Sequence, residues 1–427
     1  MAVRMTSSHA SALQDPLERE FVDLYRAWDL LERNTGGDAV IDFDLAAARQ
    51  VAQASSRAEV VERLRRLADS IRGGITPGDG WRELMLRRVE ASLAYLGALT
   101  GGTPEFLEYV TQTMGVTPTM FEEDEIRSKR DEVAKLVADT GFGGRPLTFH
   151  SDDFYRFQNA FLVRKNSALP NQFEYYKTKW VPVLCEHIDV PWSLYRIRVT
   201  FADEDAYWKN WISGNLAEHE IAMRINVHRR HNWYQGAAET LVLHEFCGHA
   251  VQMINWHRRI EAGELPEAAG ILTVHFPDQF TIEGLAECVA HFLPTSYCRL
   301  EPKSAVLREL HHYVLMVMNN LHIVANQEGG KAASQYALER LPFTKKETIE
   351  AEVRDRTSHP LYRTYQYIYG FAKRAFLEAM ADLSPRQMWA LLKSVYNGPM
   401  SAQQFIQLSR SVRAEVADGA PGGECGR

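Results

Sequence analysis

Cysteine is scarce in this chain: five in 427 residues. They stand at Cys185, Cys247, Cys288, Cys298 and Cys425, an odd count without framework spacing, which excludes a disulfide scaffold and points to reduced thiols in the cytoplasm. Long apolar runs are absent as well. The longest candidate, 313–318, falls far short of a membrane span, and the first residues lack the apolar centre of a secretory signal. Basic charge is not in excess. A net charge of -7 argues against a sequence-independent nucleic-acid binder, and neither nucleic acid nor a membrane is expected as a partner. There is no internal repeat and no phosphate-binding glycine loop. What remains is ordinary globular composition, 45% hydrophobic and 24% charged, over enough residues for a large core.

Against that plain background one stretch stands out, 240–257, TLVLHEFCGHAVQMINWH. It carries His244, Glu245 and His249 in a His-Glu-x-x-x-His spacing, one residue longer than the common zinc-peptidase motif. Residues i and i+4 share a helix face, whereas a five-residue step falls about 140° away from the starting residue at roughly 100° per residue. A regular helix would therefore aim the two imidazoles apart. A π-bulge of one inserted residue realigns them, and Gly248 lies where a loosened backbone meets least steric resistance.

Zinc with two imidazoles needs a further ligand. The stretch 280–293, FTIEGLAECVAHFL, offers Glu283 and Glu287, which are four apart and share a helix face. Glu283 is the candidate third ligand. Glu287, one turn on, can hydrogen-bond a ligand imidazole and fix its tautomer. His291, two turns after Glu283, is a further candidate for that outer role. Glu245 would be general base toward a metal-activated water. Carboxylates in so apolar a segment need partners, which argues against a merely solvated face. Eight of the fifteen histidines fall between His219 and His291, a concentration that fits a metal- or proton-handling centre. Cys247 and Cys288 read as small buried hydrophobes rather than thiolate ligands. His311, His312 and His322 lie outside the motif and are set aside.

HEFCGH followed by IEGLAE resembles the HExxxH branch of the gluzincin metallopeptidases. Dipeptidyl peptidase III has that histidine spacing. Tubulin tyrosine carboxypeptidase-like proteins and bacterial Glu-Gly-x-Ala peptidases are similar around Ile282-Glu283-Gly284-Leu285-Ala286. The resemblance spans roughly fifty residues, His244 to Leu293, and Cys247 and Ile282 depart from it. It implies His244, His249 and Glu283 as Zn²⁺ ligands, Glu245 as base, a gluzincin-like fold, and a short peptide or small-molecule amide as substrate. In HPLYRTYQYIYG, 359–370, Tyr367-x-x-Gly370 is similar to an element of the bacterial peptidases. On that basis Tyr367 is the expected oxyanion donor and Arg363 the expected contact for a substrate carboxylate.

Periodicity supplies the scaffold. Three- and four-residue apolar steps predict helices across 17–138, 152–161 and 171–187, again over 305–324, and after 359. Alternation at 195–201 and 223–228 predicts strands, with a third at 207–212 and a turn at Ser213-Gly214-Asn215. Arg224, Asn226 and His228 share one strand face, toward either the cleft or solvent, and Asn226 is the candidate substrate contact. The expected fold is mainly α (α+β): a helical bundle with a deep cleft and a small antiparallel sheet beside the metal-binding helix. The expected division is a helical lobe at 1–190, a metal-binding catalytic lobe at 191–418, and a disordered tail at 419–427.

The function these residues indicate is zinc-dependent hydrolysis of a peptide or amide bond. Two alternatives stand beside it. Two histidines and one carboxylate also describe a non-haem Fe²⁺ site, as in a tailoring enzyme of small-molecule biosynthesis. A silent binding protein with a structural metal would have no use for Glu245.

Overall fold

Local chemistry sets where the helices begin and end. Asp15 caps α1 (Pro16–Thr35), its carboxylate accepting from the Leu17 N–H, and Gly36 closes the helix in the left-handed region. Ser56 caps α2 (Arg57–Gly74) and Asp79 caps α3 (Gly80–Leu99). The computed structural model describes residues 15–76, 78–140, 146–194, 196–205, 210–215, 220–228, 232–296 and 299–417. The expected tail, His219, His231, Cys298 and Cys425 lie outside these residues.

Helices α1 to α3 bury Phe21, Trp28, Leu64 and Val89 in one core, which also takes Ala268, Ile271 and Phe276 from mid-chain. α4 (Phe106–Met114) follows. The charged run is α5 (Glu123–Asp139), opened by a capping box between Glu122 and Glu125, and it buries only Ile126, Val133 and Val137. With α6 (Ser151–Phe161) it covers a core shared with helices from the C-terminal half. α7 (Leu169–Ile188) carries Phe173 and Trp180 into the central core.

β1 (Phe43–Asp44) pairs antiparallel with β5 (Ile271–Leu272). β2 (Arg196–Ala202), β3 (Asn210–Asn215) and β4 (Glu220–Asn226) form a second sheet in the order β2-β4-β3. Here the structure corrects the sequence reading. β4 is antiparallel to β3 but parallel to β2, so the sheet is mixed. Ser213, Gly214 and Asn215 are not a turn: they pair with Ala222, Ile221 and Glu220. Alternation assigns residues to faces but does not choose a strand's partner.

A continuous helical rod spans 237–261. It comprises α8 (Ala237–Leu241), a π-helical segment (Val242–Ala250) and α9 (Val251–Glu261). β5 lies between this rod and α10 (Gln279–Ser296). The remaining helices are α11 (Pro302–Gln327), α12 (Gly330–Arg340), α13 (Lys346–Ser358), α14 (Tyr362–Met380), α15 (Pro385–Asn397) and α16 (Ala402–Ala417). The fold is mainly α, with two small sheets among the helices. The central core draws on α7, the π segment, α10, α14, α15 and the sheet, so it crosses the 190/191 boundary. Arg88 of α3 crosses it too, reaching Asp278 at the start of α10. Among the described residues no helix is long and apolar enough to cross a membrane.

Candidate metal centre

The five-residue histidine step falls inside the π-helical segment. Val251 N–H reaches back to the Phe246 carbonyl, an i to i−5 bond. Tyr396 Oη donates to the Cys247 carbonyl at 2.6 Å and satisfies an acceptor inside the irregular turn. The widened helix turns His244 and His249 to one side, and their Nε2 atoms stand 3.3 Å apart.

Gly248 has a different use from the one its sequence position suggested. A Cβ there would lie 2.7 Å from the Cα and Cβ of Ala286, so glycine lets the π segment and α10 touch backbone to side chain. Gly284 does the same on the opposite side of α10, where a Cβ would meet the Phe376 ring at 2.5 Å. These close approaches seat α10 with Glu283 facing the histidines. Its Oε2 lies 3.6 Å from His249 Nε2 and 3.8 Å from His244 Nε2.

The donor set fits a cation. His244, His249 and Glu283 each offer one ligand atom, all within 4.8 Å of one another. Two zinc–imidazole bonds of roughly 2.0–2.1 Å at a tetrahedral angle would separate the nitrogens by about 3.3–3.4 Å. The observed nitrogen separation matches, and the carboxylate lies a few tenths of an ångström wider. Glu283 Oε2 is buried and, among the described residues, has no hydrogen-bond partner. An orphaned carboxylate oxygen facing two imidazoles is costly unless a positive charge completes it.

The surrounding electrostatics separate the three acids. Burial raises Glu283 to about 8, against the hydrogen bond that Tyr365 Oη donates to Oε1 at 2.5 Å. Burial also raises Glu245 to about 8, helped by the charge of Asp42 and opposed by Asn210. Glu287 behaves oppositely. Burial raises it, but His311 and Lys373 outweigh that and hold it well below the usual carboxylate range. His311 Nε2 is 3.0 Å and Lys373 Nζ 3.3 Å from its oxygens, and His244 Nδ1 is 3.6 Å away. Both imidazoles are pushed down by burial, His249 to about 3, so each is neutral and able to ligate. Burial pushes the Cys247 and Cys288 thiols up, as inert core residues require.

No family model and no curated protein matches the chain. Solved structures do. A provisionally named lipoprotein from Colwellia psychrerythraea is similar at TM-score 0.59 and 14% identity, over 84% of this chain and 67% of that one. A provisionally named lipoprotein of unknown function from Shewanella oneidensis is similar at TM-score 0.45 and 13% identity, over 94% and 73%. PZ peptidase A is similar at TM-score 0.40 and 11% identity, over 94% and 74%. The first likeness shows a shared fold and nothing about activity. The other two are too weak to show even that.

Three expected substrate or transition-state residues lie elsewhere. Tyr367 is fully buried, and its hydroxyl accepts from Thr119 N–H at 2.7 Å and donates to Thr119 O at 3.0 Å. Arg363 donates to Asn326 Oδ1 and the Pro104 carbonyl, which commits it to packing. Asn226 ties its own loop: Oδ1 accepts from Glu204 and His228 N–H, and Nδ2 donates to Glu204 O. His291 is placed 3.9 Å from Glu309, not against a ligand. In their place the structure brings Tyr365 and Tyr369, hydroxyls 2.6 Å apart, to Glu283. It also brings Asn210, whose Nδ2 donates to Glu245 Oε1 at 2.8 Å. The tyrosine pair had a signal, since four-residue spacing shares a helix face. Asn210 and His311 had none.

Proposed function

We propose that the protein is a zinc-dependent hydrolase of a peptide or amide bond in a short peptide or amino-acid conjugate. His244, His249 and Glu283 would hold the metal. The observation that carries this is the partnerless Glu283 Oε2 turned toward two neutral imidazoles, with a proton-handling carboxylate in the residue next to one of them. Bound zinc would supply an acidified water and a polarised carbonyl.

The chain's own groups do the rest. Asn210 holds Glu245 Oε1, and among the described residues nothing bonds Oε2, which leaves that oxygen to take a proton from the attacking water. A carboxyl raised toward neutrality can both accept this proton and return it to the leaving nitrogen. Tyr365 and Tyr369, half-buried and kept protonated by burial and the Glu283 charge, bring two hydroxyls to the cluster; with Glu283 held by the metal, the Tyr365 proton now given to Oε1 would be free to turn to a developing oxyanion. Glu287 fixes the His244 ring through Nδ1, held by Lys373 and His311.

The test combines elemental analysis with a peptide-library digest read by mass spectrometry. One zinc per chain and cleavage abolished by a chelator are the expected results. Bound iron, or bound zinc with a silent digest, would defeat the hydrolase reading.

A further inference from the structure

We propose that His311 is a positioning residue for the metal: it pins the Glu287 oxygen that meets His244, and so sets how tightly the centre holds its ion. This rests on the reading of His244, His249 and Glu283 as ligands, and adds a means of tuning them from the protein surface.

Three side chains converge on Glu287 from three different elements. His244 Nδ1, on the π segment, lies 3.6 Å from Oε1. His311 Nε2, on α11, lies 3.0 Å from that same oxygen. Lys373 Nζ, on α14, takes Oε2 at 3.3 Å. An ionised carboxylate only accepts, so the His311 ring carries a proton on Nε2 and donates it. Lys373 therefore fixes one end of the carboxylate and His311 the other, and the His311 end is the one turned to the ligand ring. The register of α11 on α10 is itself held. Arg308 Nη1, one turn before His311, donates to the Ala290 carbonyl, one turn after Glu287, at 2.9 Å.

Exposure separates the partners. The Glu287 and Lys373 side chains are 4% and 1% exposed, whereas His311 is 52% exposed. Removing Lys373 would strand a buried carboxylate and disturb the fold. The His311 bond lies half in water, where such contacts add little to stability. Its effect is on geometry: a ligand imidazole gripped at its far nitrogen keeps one tautomer and one orientation, and loosening that grip weakens metal binding.

The experiment measures zinc affinity of the full chain by competition with a chromogenic chelator, with no substrate present. His311→Ala should raise the zinc dissociation constant about ten- to hundredfold. It should also shift the visible absorption of the Co²⁺-loaded protein, while melting of the metal-free protein changes little. His311→Gln, whose amide can donate to the same oxygen, should recover most of the affinity. Unchanged affinity in His311→Ala overturns the proposal. So does a His311→Gln protein as weak as His311→Ala, or a loss of affinity that only follows a loss of metal-free stability. An unaltered protein that takes up no zinc would overturn the centre itself, and this proposal with it. Peptide cleavage plays no part in the readout, so failure of the hydrolase reading is scored separately.

Discussion

Two buried polar clusters in this molecule are built from similar residues and end differently. In the N-terminal core, Arg88 and Asp278 form a bidentate pair at 2.6 and 3.0 Å, both fully buried. Arg88 also donates to the Ala268 carbonyl, and Ser92 Oγ joins Tyr25 and His275 at 2.5 and 2.9 Å. Charges are matched there, and the cluster is closed. In the central core, two imidazole nitrogens converge on a carboxylate oxygen that no described residue satisfies. Burial alone therefore does not mark a site. A buried set that leaves one of its own acceptors unmet is the better candidate.

The comparison can be broken in graded ways. The largest expected effect is at the open cluster: Glu245→Gln should lower turnover about 10²–10⁴-fold while zinc content, read by elemental analysis, stays at one equivalent. Loss of metal together with activity would reassign Glu245 to the ligand set. Next come the tyrosines. Tyr365→Phe should cost about 10²–10³-fold in kcat if it donates to the oxyanion. Tyr367→Phe, which removes a bond to Thr119, should instead cost about 1 kcal/mol of stability with little change in kcat. The reverse ranking in steady-state kinetics would restore Tyr367.

The closed cluster should respond in stability and not in metal content. Arg88→Met strands a buried carboxylate and should cost about 3–5 kcal/mol in denaturant unfolding, with Arg88→Met/Asp278→Leu recovering much of it. Zinc per folded chain should not change, and a metal-depleted but stable Arg88→Met protein would show the clusters to be coupled. The smallest effect concerns His275, which burial lowers to about 3. Its folded value lies below its unfolded one, so its contribution is fully present above the unfolded value of about 6.5 and is lost as pH falls toward 3. His275→Gln should flatten the fall of stability with acidification across that window. An unchanged slope would show that the ring is not held neutral.

Much of the scaffold was legible because helical periodicity is local. The apolar steps of α1, α3 and α7 recur in the sequence and are buried in the structure. The π segment was legible for a sharper reason: a five-residue step between two convergent imidazoles allows few backbones. The tyrosines were half legible. Their stretch was found, but the face was misjudged, since 365 and 369 share one side of α14 and 367 lies on the other. Arg363 and Asn226 looked available because sequence shows a side chain's chemistry and not its commitments.

What the sequence determined by itself was the chemistry on offer: two histidines and an acid in one irregular turn, a second acid one segment later, and a mainly helical chain to carry them. Spacing along a helix settles such questions because its geometry is fixed by backbone hydrogen bonds over a few residues. Only the tertiary structure decided that β2 would lie parallel to β4, that His311 would reach Glu287, and that Asn210 would donate to Glu245. Those contacts depend on how close two backbones can pack, as at Gly248 against Ala286. No local pattern encodes that distance.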